Sequence, residues 1–338
     1  MGCSKGSTTT ALPVEIQRDE IGKLMMSGKV TMRHKVLLAK FCKFFIKREF
    51  SPPNMDTLYF SSQEENSLYL FNIFTQQISK ANLTKYTFPY AYDLIQYRNE
   101  IYISGGTEDS FCFKVKNTMA CIWQSSTSSR MLLLKCANLP EPLFYHSMCL
   151  HHDRYVFVVG GSNRNSHYID RTYKYDIDGD MWEPYASMKV GRSKCSTISI
   201  NNRLYAFGGE DIKQADVLEY IDTSKANSCF EVINLAFKFH RVKSDTFARA
   251  VLCQVDSDEL MIFGGGHKGS KKSYIFDTSK KELISGLPLP SKTRFNQMKP
   301  QYRERVYYAI SVIGSTGQMM ISLDLQTRVF NELILKKY

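Results

Sequence analysis

Four glycine pairs, each placed directly after a short apolar run, constrain the fold of this 338-residue chain more than any other feature. The pairs begin at positions 105, 160, 208 and 264, so the intervals between them are 55, 48 and 56 residues. An apolar run that ends on two glycines predicts a strand followed by backbone with positive φ, or by a close approach of a neighbouring segment, which glycine adopts at little cost. A unit recurring about every 50 residues is one small sheet that cannot bury both of its faces alone, so the repeats are expected to stack around an axis.

Residues 155–182 show the repeat most completely. An apolar strand ends on Gly160 and Gly161, a polar loop follows, an aromatic strand ends on Asp176, and Trp182 comes shortly after. Aspartates also end the matching strands of later units, at Asp222 and Asp277. This order resembles the kelch repeat, whose marks are a hydrophobic run, a double glycine, a separated aromatic and a tryptophan. The resemblance implies a β-propeller in which each repeat forms one blade.

Two weaker repeats flank the four strong ones. Ser61 and Ser62 stand one interval before Gly105, and Ser311 stands near the expected place after Gly264. Both units keep paired apolar strands without the glycines, as terminal repeats often do. The sequence therefore predicts an all-β fold, a six-bladed kelch β-propeller with a short helical N-terminal extension. The predicted blades span residues 51–85, 86–140, 141–188, 189–238, 239–290 and 291–338 of the 51–338 propeller.

The cysteines and the apolar runs predict a cytoplasmic protein. Nine cysteines are scattered without a CxxC pair, and Cys149, Cys195 and Cys253 recur on the first strands of their blades, where they are expected to be buried and reduced. The sequence contains no apolar run long enough for a transmembrane helix, and its polar N-terminus is unlike a secretory signal.

The formal net charge is +11, and the first fifty residues, with ten Lys or Arg and four Asp or Glu, supply +6 of it. A basic segment is typical of contacts with nucleic acid or an anionic membrane. No recognised nucleic-acid-binding module accompanies it, so nucleic acid is not among the predicted partners.

Residues 1–10 form a predicted flexible tail that resembles an N-terminal acylation sequence. Gly2 would carry myristate and Cys3 a palmitoyl group, and two such anchors would associate the chain with a membrane. The residue at position 6 departs from the pattern, which has Ser or Thr there. An ordinary disordered tail is the alternative.

Residues 11–50 have three open interpretations. Their order of features resembles an F-box, which would make the propeller the substrate receptor of a ubiquitin ligase with an adaptor as partner. Their basic, helically spaced apolar residues also suit an amphipathic helix on a membrane. As a third interpretation, part of the segment is a strand that closes the ring, because an open propeller would leave strand edges unpaired.

Basic residues near the blade entries and the loops after the glycine pairs are the candidate binding residues. In kelch domains such residues line the channel or one rim, and variable loops on a rigid scaffold commonly carry recognition. The predicted partner is a protein, through an acidic or phosphorylated segment. The candidates are Arg192, Arg249, Arg294, His146, Asn163, Arg164, His167, His267 and Lys268.

No catalytic motif, metal-ligand spacing or cofactor signature appears in the sequence, so we predict a non-enzymatic interaction scaffold without cofactors. The seven histidines lack ligand spacing except for the adjacent His151 and His152, whose side chains are expected to diverge. A sugar isomerase of the kelch-propeller type remains an alternative, because its site residues would be scattered over many blades.

Overall fold

The computed structural model describes residues 57–62, 67–81, 86–98, 100–124, 131–210, 217–235, 247–266, 269–292, 301–303, 306–313 and 317–335. These residues form twenty-three strands and no helix, as predicted for an all-β chain. None of them forms a helix long and apolar enough to cross a membrane. The predicted tail at 1–10 and segment at 11–50 lie outside the described residues, and the helical extension stays a prediction.

Six sheets of consecutive antiparallel strands make up the described chain. The first sheet contains β1 (Thr57–Ser62), β2 (Ser67–Asn72) and β3 (Ile78–Ala81). The second contains β4 (Asp93–Tyr97), β5 (Glu100–Ser104), β6 (Met119–Gln124) and β7 (Met131–Cys136), and the third contains β8 (Ser147–His151), β9 (Tyr155–Val159), β10 (Thr172–Asp176) and β11 (Met181–Tyr185). The fourth contains β12 (Ser196–Ile200), β13 (Arg203–Phe207), β14 (Val217–Asp222) and β15 (Glu231–Asn234), and the fifth contains β16 (Val251–Asp256), β17 (Glu259–Phe263), β18 (Ser273–Asp277) and β19 (Glu282–Ser285). The sixth contains β20 (Gln301–Arg303), β21 (Val306–Ile313), β22 (Gly317–Asp324) and β23 (Phe330–Leu335).

The number of complete blades differs from the prediction. Five sheets have four strands, whereas the first has three, so the described residues hold five complete blades and not six. In the first sheet β1 ends on the serines at the glycine position, so its three strands correspond to the second, third and fourth strands of a blade. The position of an innermost strand is therefore not filled by any residue that the structure describes.

Burial follows the order of strands within a blade. The second strand lies between its own sheet partners and the adjoining blades, so nearly all of its side chains are buried; Val156 to Val159 of β9 are 0–1% exposed. The outermost strand has few neighbours, and Met181 of β11 is 65% exposed. A strand buried on both faces requires a continuous apolar run, which explains the runs before the glycine pairs.

Apolar cores between neighbouring sheets hold the propeller together. Tyr102 of the second sheet packs in one cluster with Val158 and Tyr175 of the third, and equivalent clusters join the later sheets. Met320 of the sixth sheet packs with Leu58 of the first, so the first and last sheets are also in contact. Stacking of the repeats around an axis is thereby confirmed.

The glycine pairs fulfil both predicted roles. All eight glycines have positive φ, and a Cβ added at Gly160 would lie 2.5 Å from the Arg192 carbonyl oxygen of the next blade. A Cβ at Gly161 would lie 2.9 Å from the carbonyl oxygen of Phe144. The pairs therefore allow the end of the second strand to approach both the entry of its own blade and the entry of the next. We call the end of the propeller with the glycine pairs and blade entries the glycine face, and the other end the opposite face.

The repeated aspartates close the turns after the third strand. Oδ1 of Asp176 accepts hydrogen bonds from the amides two and three residues further on, and Asp277 and Asp324 do the same. Asn72 occupies the same position in the first sheet. An Asx turn needs this side chain at a fixed place, which explains its recurrence.

The prediction that Cys149, Cys195 and Cys253 are buried is confirmed. All three are free and at most 7% exposed. They pack as small apolar side chains, and burial raises the pKa of the Cys253 thiol far above its usual value.

Candidate functional site

Successive blade entries on the glycine face are joined by a chain of backbone hydrogen bonds. The amide of Tyr145 donates to the Ala91 carbonyl, that of Lys194 to Tyr145, and that of Arg249 to Lys194, at 2.8, 2.8 and 2.9 Å. All four residues have φ between 54° and 60°, although none is glycine. A non-glycine residue with positive φ costs about 1 kcal/mol or more of conformational free energy, and such residues are common at functional sites. We call Ala91, Tyr145, Lys194 and Arg249 the entry ladder.

The entry ladder brings three long side chains together, which with Glu210 we call the mouth cluster. The Lys194 Nζ lies 4.3 Å from the centroid of the Tyr145 ring, and the Arg249 Cζ lies 5.6 Å from it. Nζ of Lys194 also lies 2.7 Å from Oε1 of Glu210, which is half-buried. Two cations therefore share one aromatic ring, with one carboxylate beside them.

The surroundings of the Tyr145 hydroxyl shift its pKa. Burial raises its pKa, Arg249 opposes this rise, and Cys112 and Glu210 add to it. A hydrogen bond with Arg249 also lowers the pKa. Tyr145 thus stays protonated at neutral pH and presents a neutral hydroxyl among the charges of the mouth cluster.

Arg192 lies in the interior of the fold, so the prediction that its side chain contacts a partner is wrong. Its side chain is 2% exposed, NH2 lies 2.5 Å from Oε1 of the fully buried Glu219, and NH1 donates to the carbonyls of Gly208 and Val217. A partner cannot reach a guanidinium whose donors are used inside the fold. The residue that occupies the entry ladder in this blade is Lys194, two positions later.

His146 is also an interior residue. It is 3% exposed, and its Nε2 lies 2.7 Å from Oγ of Ser104 in the preceding blade. A Cβ added at Gly105 would lie 2.8 Å from Cε1 of its ring, and one added at Gly161 would lie 2.9 Å from its Cβ. His146 therefore fills the space between two blades, and we no longer count it among partner-binding residues.

Two of the predicted binding residues in the loop after Gly161 hold that loop in place through hydrogen bonds. Nδ2 of Asn163 donates to Oε2 of Glu141 at 2.9 Å, so its side chain is a loop anchor. Arg164 donates from Nε and NH2 to the Phe113 carbonyl oxygen at 3.1 and 2.7 Å. His167 is exposed. Of the three candidates, Asn163 and Arg164 organise the glycine face, and His167 stays a candidate for direct contact.

Glu141 connects this loop to the strand behind it. Arg171 donates to both of its carboxylate oxygens at 2.6 and 2.7 Å, and the Tyr173 hydroxyl donates at 2.7 Å. Although burial opposes the change, these hydrogen bonds and that from Asn163 lower the pKa of Glu141. The loop is consequently tied to the blade at neutral pH.

Five candidates lie outside the described residues and stay predictions. They are Arg294, His267, Lys268, Gly2 and Cys3.

A hairpin between β5 and β6, residues 107–115, is the part of the glycine face that the sequence analysis missed. Its amides at Phe113 and Lys114 donate to the Asp109 carboxylate at 3.0 Å, and it carries Phe111 and Phe113 at 78% and 73% exposure. Cys112 stands between them and is one of the groups that raise the pKa of Tyr145. We call residues 107–115 the Phe hairpin. Two phenylalanines in a loop that follows a glycine pair were the signal that could have revealed it.

The opposite face has a cleft of 580 Å³ between the fourth and fifth sheets. Its polar groups are largely engaged within the fold: the Tyr220 hydroxyl donates to Glu231, Arg203 lies over the Tyr220 ring at 5.4 Å, and Asp222 closes its own turn. No group of three His, Cys, Asp or Glu side chains suited to a metal ion occurs among the described residues.

Comparisons with known proteins match this fold. The kelch motif model matches residues 145–189, which include the third sheet. Kelch repeat and BTB domain-containing protein 12 from Danio rerio is 28% identical over 107 residues, 29% of this chain and 16% of the relative. Kelch-like protein 38 from Homo sapiens is 34% identical over 82 residues (23% and 14%), and beta-scruin from Limulus polyphemus is 22% identical over 201 residues (60% and 21%).

The chain thus spans about a fifth or less of the length of these curated relatives. Among solved structures, one titled "Structure of YjhT" superposes with a TM-score of 0.63 at 12% identity, covering 84% of this chain and 98% of that one. This likeness concerns the fold alone. The motif match, the kelch-repeat relatives and the ring of stacked antiparallel sheets together identify the chain as a kelch-repeat β-propeller protein.

Proposed function

We propose that this propeller is a non-enzymatic protein-interaction scaffold that captures a segment of a partner protein on its glycine face, at the mouth cluster. The observation that carries the proposal is the entry ladder. Its backbone bonds bring Tyr145, Lys194 and Arg249 from three blades into one patch, with φ values that strand residues do not adopt. The kelch-repeat relatives support a scaffold role.

The charges of the mouth cluster favour an acidic or phosphorylated segment. Among the described residues Lys194 pairs with the carboxylate of Glu210, and Arg249 is half-buried over Tyr145. An incoming carboxylate or phosphate would receive charge-assisted hydrogen bonds from both cations, which are stronger than bonds between neutral groups. The Tyr145 hydroxyl adds a neutral donor at the same place.

A non-enzymatic role fits the placement of the reactive side chains. Ser104 and His146 are within hydrogen-bonding distance, as a nucleophile and its base would be, but they are 1% and 3% exposed. His151 lies 2.6 Å from Ser199 through Nδ1 and also contacts Thr223 through Nε2, so its ring bridges two blades. Both histidines are engaged in contacts between blades, where they stabilise the packing of neighbouring sheets.

We also propose a cytoplasmic location. Five of the seven cysteines that the structure describes are buried and all seven are free, which suits a reducing compartment. A ubiquitin-ligase adaptor bound through residues 11–50 and membrane association through Gly2 and Cys3 remain proposals based on the sequence.

The test of the proposed function is a charge reversal at the mouth cluster. Fluorescence anisotropy measures the binding of two sets of peptides to the wild type and to K194E/R249E. One set contains aspartate, glutamate or phosphoserine, and the other has lysine at those positions. The wild type is expected to prefer the acidic and phosphorylated peptides, with affinity that falls as salt is added. K194E/R249E is expected to lose this preference while its thermal unfolding stays cooperative.

The matched control is R154E/K280E, because it changes the net charge equally on the opposite face. Arg154 and Lys280 are exposed in turns there, Arg154 beside Asp176 and Asp178 and Lys280 beside Asp277. Equal losses in the two double variants would mean that net charge alone attracts the peptides, and the proposed site would be wrong.

A further inference from the structure

We propose that the Phe hairpin is the apolar half of the same docking surface, so that the partner segment carries an aromatic or branched aliphatic residue beside its acidic residues. This inference rests on the proposed function and specifies the partner's chemistry. It assigns the binding of the apolar residue to Phe111 and Phe113, and the binding of the acidic residues to Lys194 and Arg249.

The exposure of the two phenylalanines is the first observation. At 78% and 73%, Phe111 and Phe113 are the most exposed large apolar side chains in the described part of the chain. Their ring centroids lie 6.3 Å apart, so they form one continuous apolar patch. Exposed apolar patches on a folded surface commonly mark interaction sites, and aromatic residues are frequent among those that dominate binding energy.

The order of the hairpin is the second observation. The Glu108 amide donates to the Lys114 carbonyl at 2.9 Å, and the Asp109 carboxylate accepts hydrogen bonds from the amides of Phe113 and Lys114. Arg164 holds the Phe113 carbonyl oxygen from the next blade. The hairpin therefore presents its aromatic side chains on a fixed backbone, which reduces the entropy that a partner must remove on binding.

Proximity to the mouth cluster is the third observation. The Gly106 amide, directly before the hairpin, donates to the Leu143 carbonyl at 2.7 Å, so the hairpin begins beside the segment that carries Tyr145 two residues later. The Phe144 amide donates to the Ser162 carbonyl at 3.0 Å, which fixes the entry before Tyr145 against the loop that carries Arg164. One short segment can consequently contact the aromatic pair and the cations together.

The charges around the hairpin favour a protein segment over an anionic membrane. Lys114 and Lys116 both lie 3.7 Å from Glu108, and with Asp109 the four charges of the hairpin region cancel, so no net positive charge attracts an anionic membrane there. Asp109 adds a second negative charge at the tip. Insertion into anionic lipid would bring both carboxylates to like-charged headgroups, whereas a narrow peptide chain can contact the aromatic pair and avoid them.

The test selects a phage-displayed library of random linear peptides on the wild-type chain and measures the enriched peptides by fluorescence anisotropy. The proteins compared are the wild type, F111S/F113S, K194E/R249E and F74S. Phe74 is the control because it is 59% exposed and lies in a turn on the opposite face. Because all three phenylalanines are exposed, the serine variants are expected to unfold at the wild-type temperature.

The expected result is enrichment of peptides with an aromatic or branched aliphatic residue next to Asp or Glu. F111S/F113S and K194E/R249E should each weaken their binding by at least about tenfold, and F74S should bind as the wild type does. Replacing the apolar residue of the peptide by alanine should weaken binding to the wild type and change little with F111S/F113S.

Three results would overturn the inference. If F111S/F113S binds the acidic peptides as tightly as the wild type while K194E/R249E does not, the proposed function stands and the role of the Phe hairpin is refuted. If no sequence is enriched, both are refuted. If vesicles of phosphatidylcholine and phosphatidylserine sediment the wild type but not F111S/F113S, and peptide affinity does not depend on the phenylalanines, the hairpin contacts lipid.

Discussion

Replacing Arg192 by methionine should destabilise the propeller strongly, because from the interior this arginine ties the entry of the fourth blade to the second and third strands of that blade. Its NH2 contacts Glu219 at 2.5 Å, and NH1 donates to the carbonyls of Gly208 and Val217 at 3.1 and 3.0 Å. Methionine would fill part of the volume, and among the described residues Glu219 would keep as donors only the amides of Lys189 and Val190, which precede the first strand of its own blade. Removing one partner of a buried ion pair costs about 3–5 kcal/mol, so R192M should lose that much free energy of unfolding.

Urea denaturation followed by circular dichroism measures this loss. R192M/E219M removes both charges and should be less destabilised than R192M, since no unpaired charge remains buried. R154M is the matched control, because Arg154 is about half exposed in its contact with Asp176 and should cost only about 0–1 kcal/mol. A loss below about 1 kcal/mol for R192M, with partner binding abolished, would refute the assignment of Arg192 to the interior.

Two further predictions concern the packing between blades. G160A should lower the free energy of unfolding by about 1–3 kcal/mol in urea, because alanine is strained at φ 63° and its Cβ would lie 2.5 Å from the Arg192 carbonyl oxygen. Burial lowers the pKa of His151 to about 4, so the unfolded chain binds this proton between about pH 4 and 6.5 and the folded chain does not. The free energy of unfolding should therefore rise by about 1–3 kcal/mol as the pH increases across this window. The unfolding temperature of H151Q should rise less over the same pH range than that of the wild type, and an equal rise would contradict this.

The features predicted correctly from the sequence are those that local geometry dictates. A glycine pair after an apolar strand requires positive φ within the repeat itself, and the aspartate that ends the third strand closes its own turn. Both leave a mark at a fixed distance along the chain, so Gly160, Asp176 and their equivalents could be recognised without a structure. The stacking of sheets follows from the same units, because each has more apolar surface than it can bury alone.

The features that were missed depend on contacts between blades. Arg192 and Lys194 are both basic and two residues apart, and only the hydrogen bond from Lys194 to Tyr145 shows which of them occupies the entry ladder. Phe111 and Phe113 would suit a buried strand by composition, but the Asp109 carboxylate fixes them in a hairpin that points to solvent. The count of complete blades likewise depended on which segment pairs with β1, a long-range contact that repeats along the sequence do not specify.

The entry ladder explains how one propeller can present a specific surface without weakening its ring. Each link is made by a backbone amide and a backbone carbonyl, so the join between blades does not depend on the side chain at that position. Ala91 serves as well as Tyr145, Lys194 or Arg249, and the identity of each residue can be set by what the mouth must bind. Glu219 and Arg192, in contrast, stabilise the ring through their side chains and are not open to such change. The residue that we propose for recognition, Lys194, and the residue that stabilises the fold, Arg192, therefore stand two positions apart in the same blade entry. A charge reversal at Lys194 is expected to weaken partner binding and leave the fold intact, whereas R192M is expected to destabilise the fold.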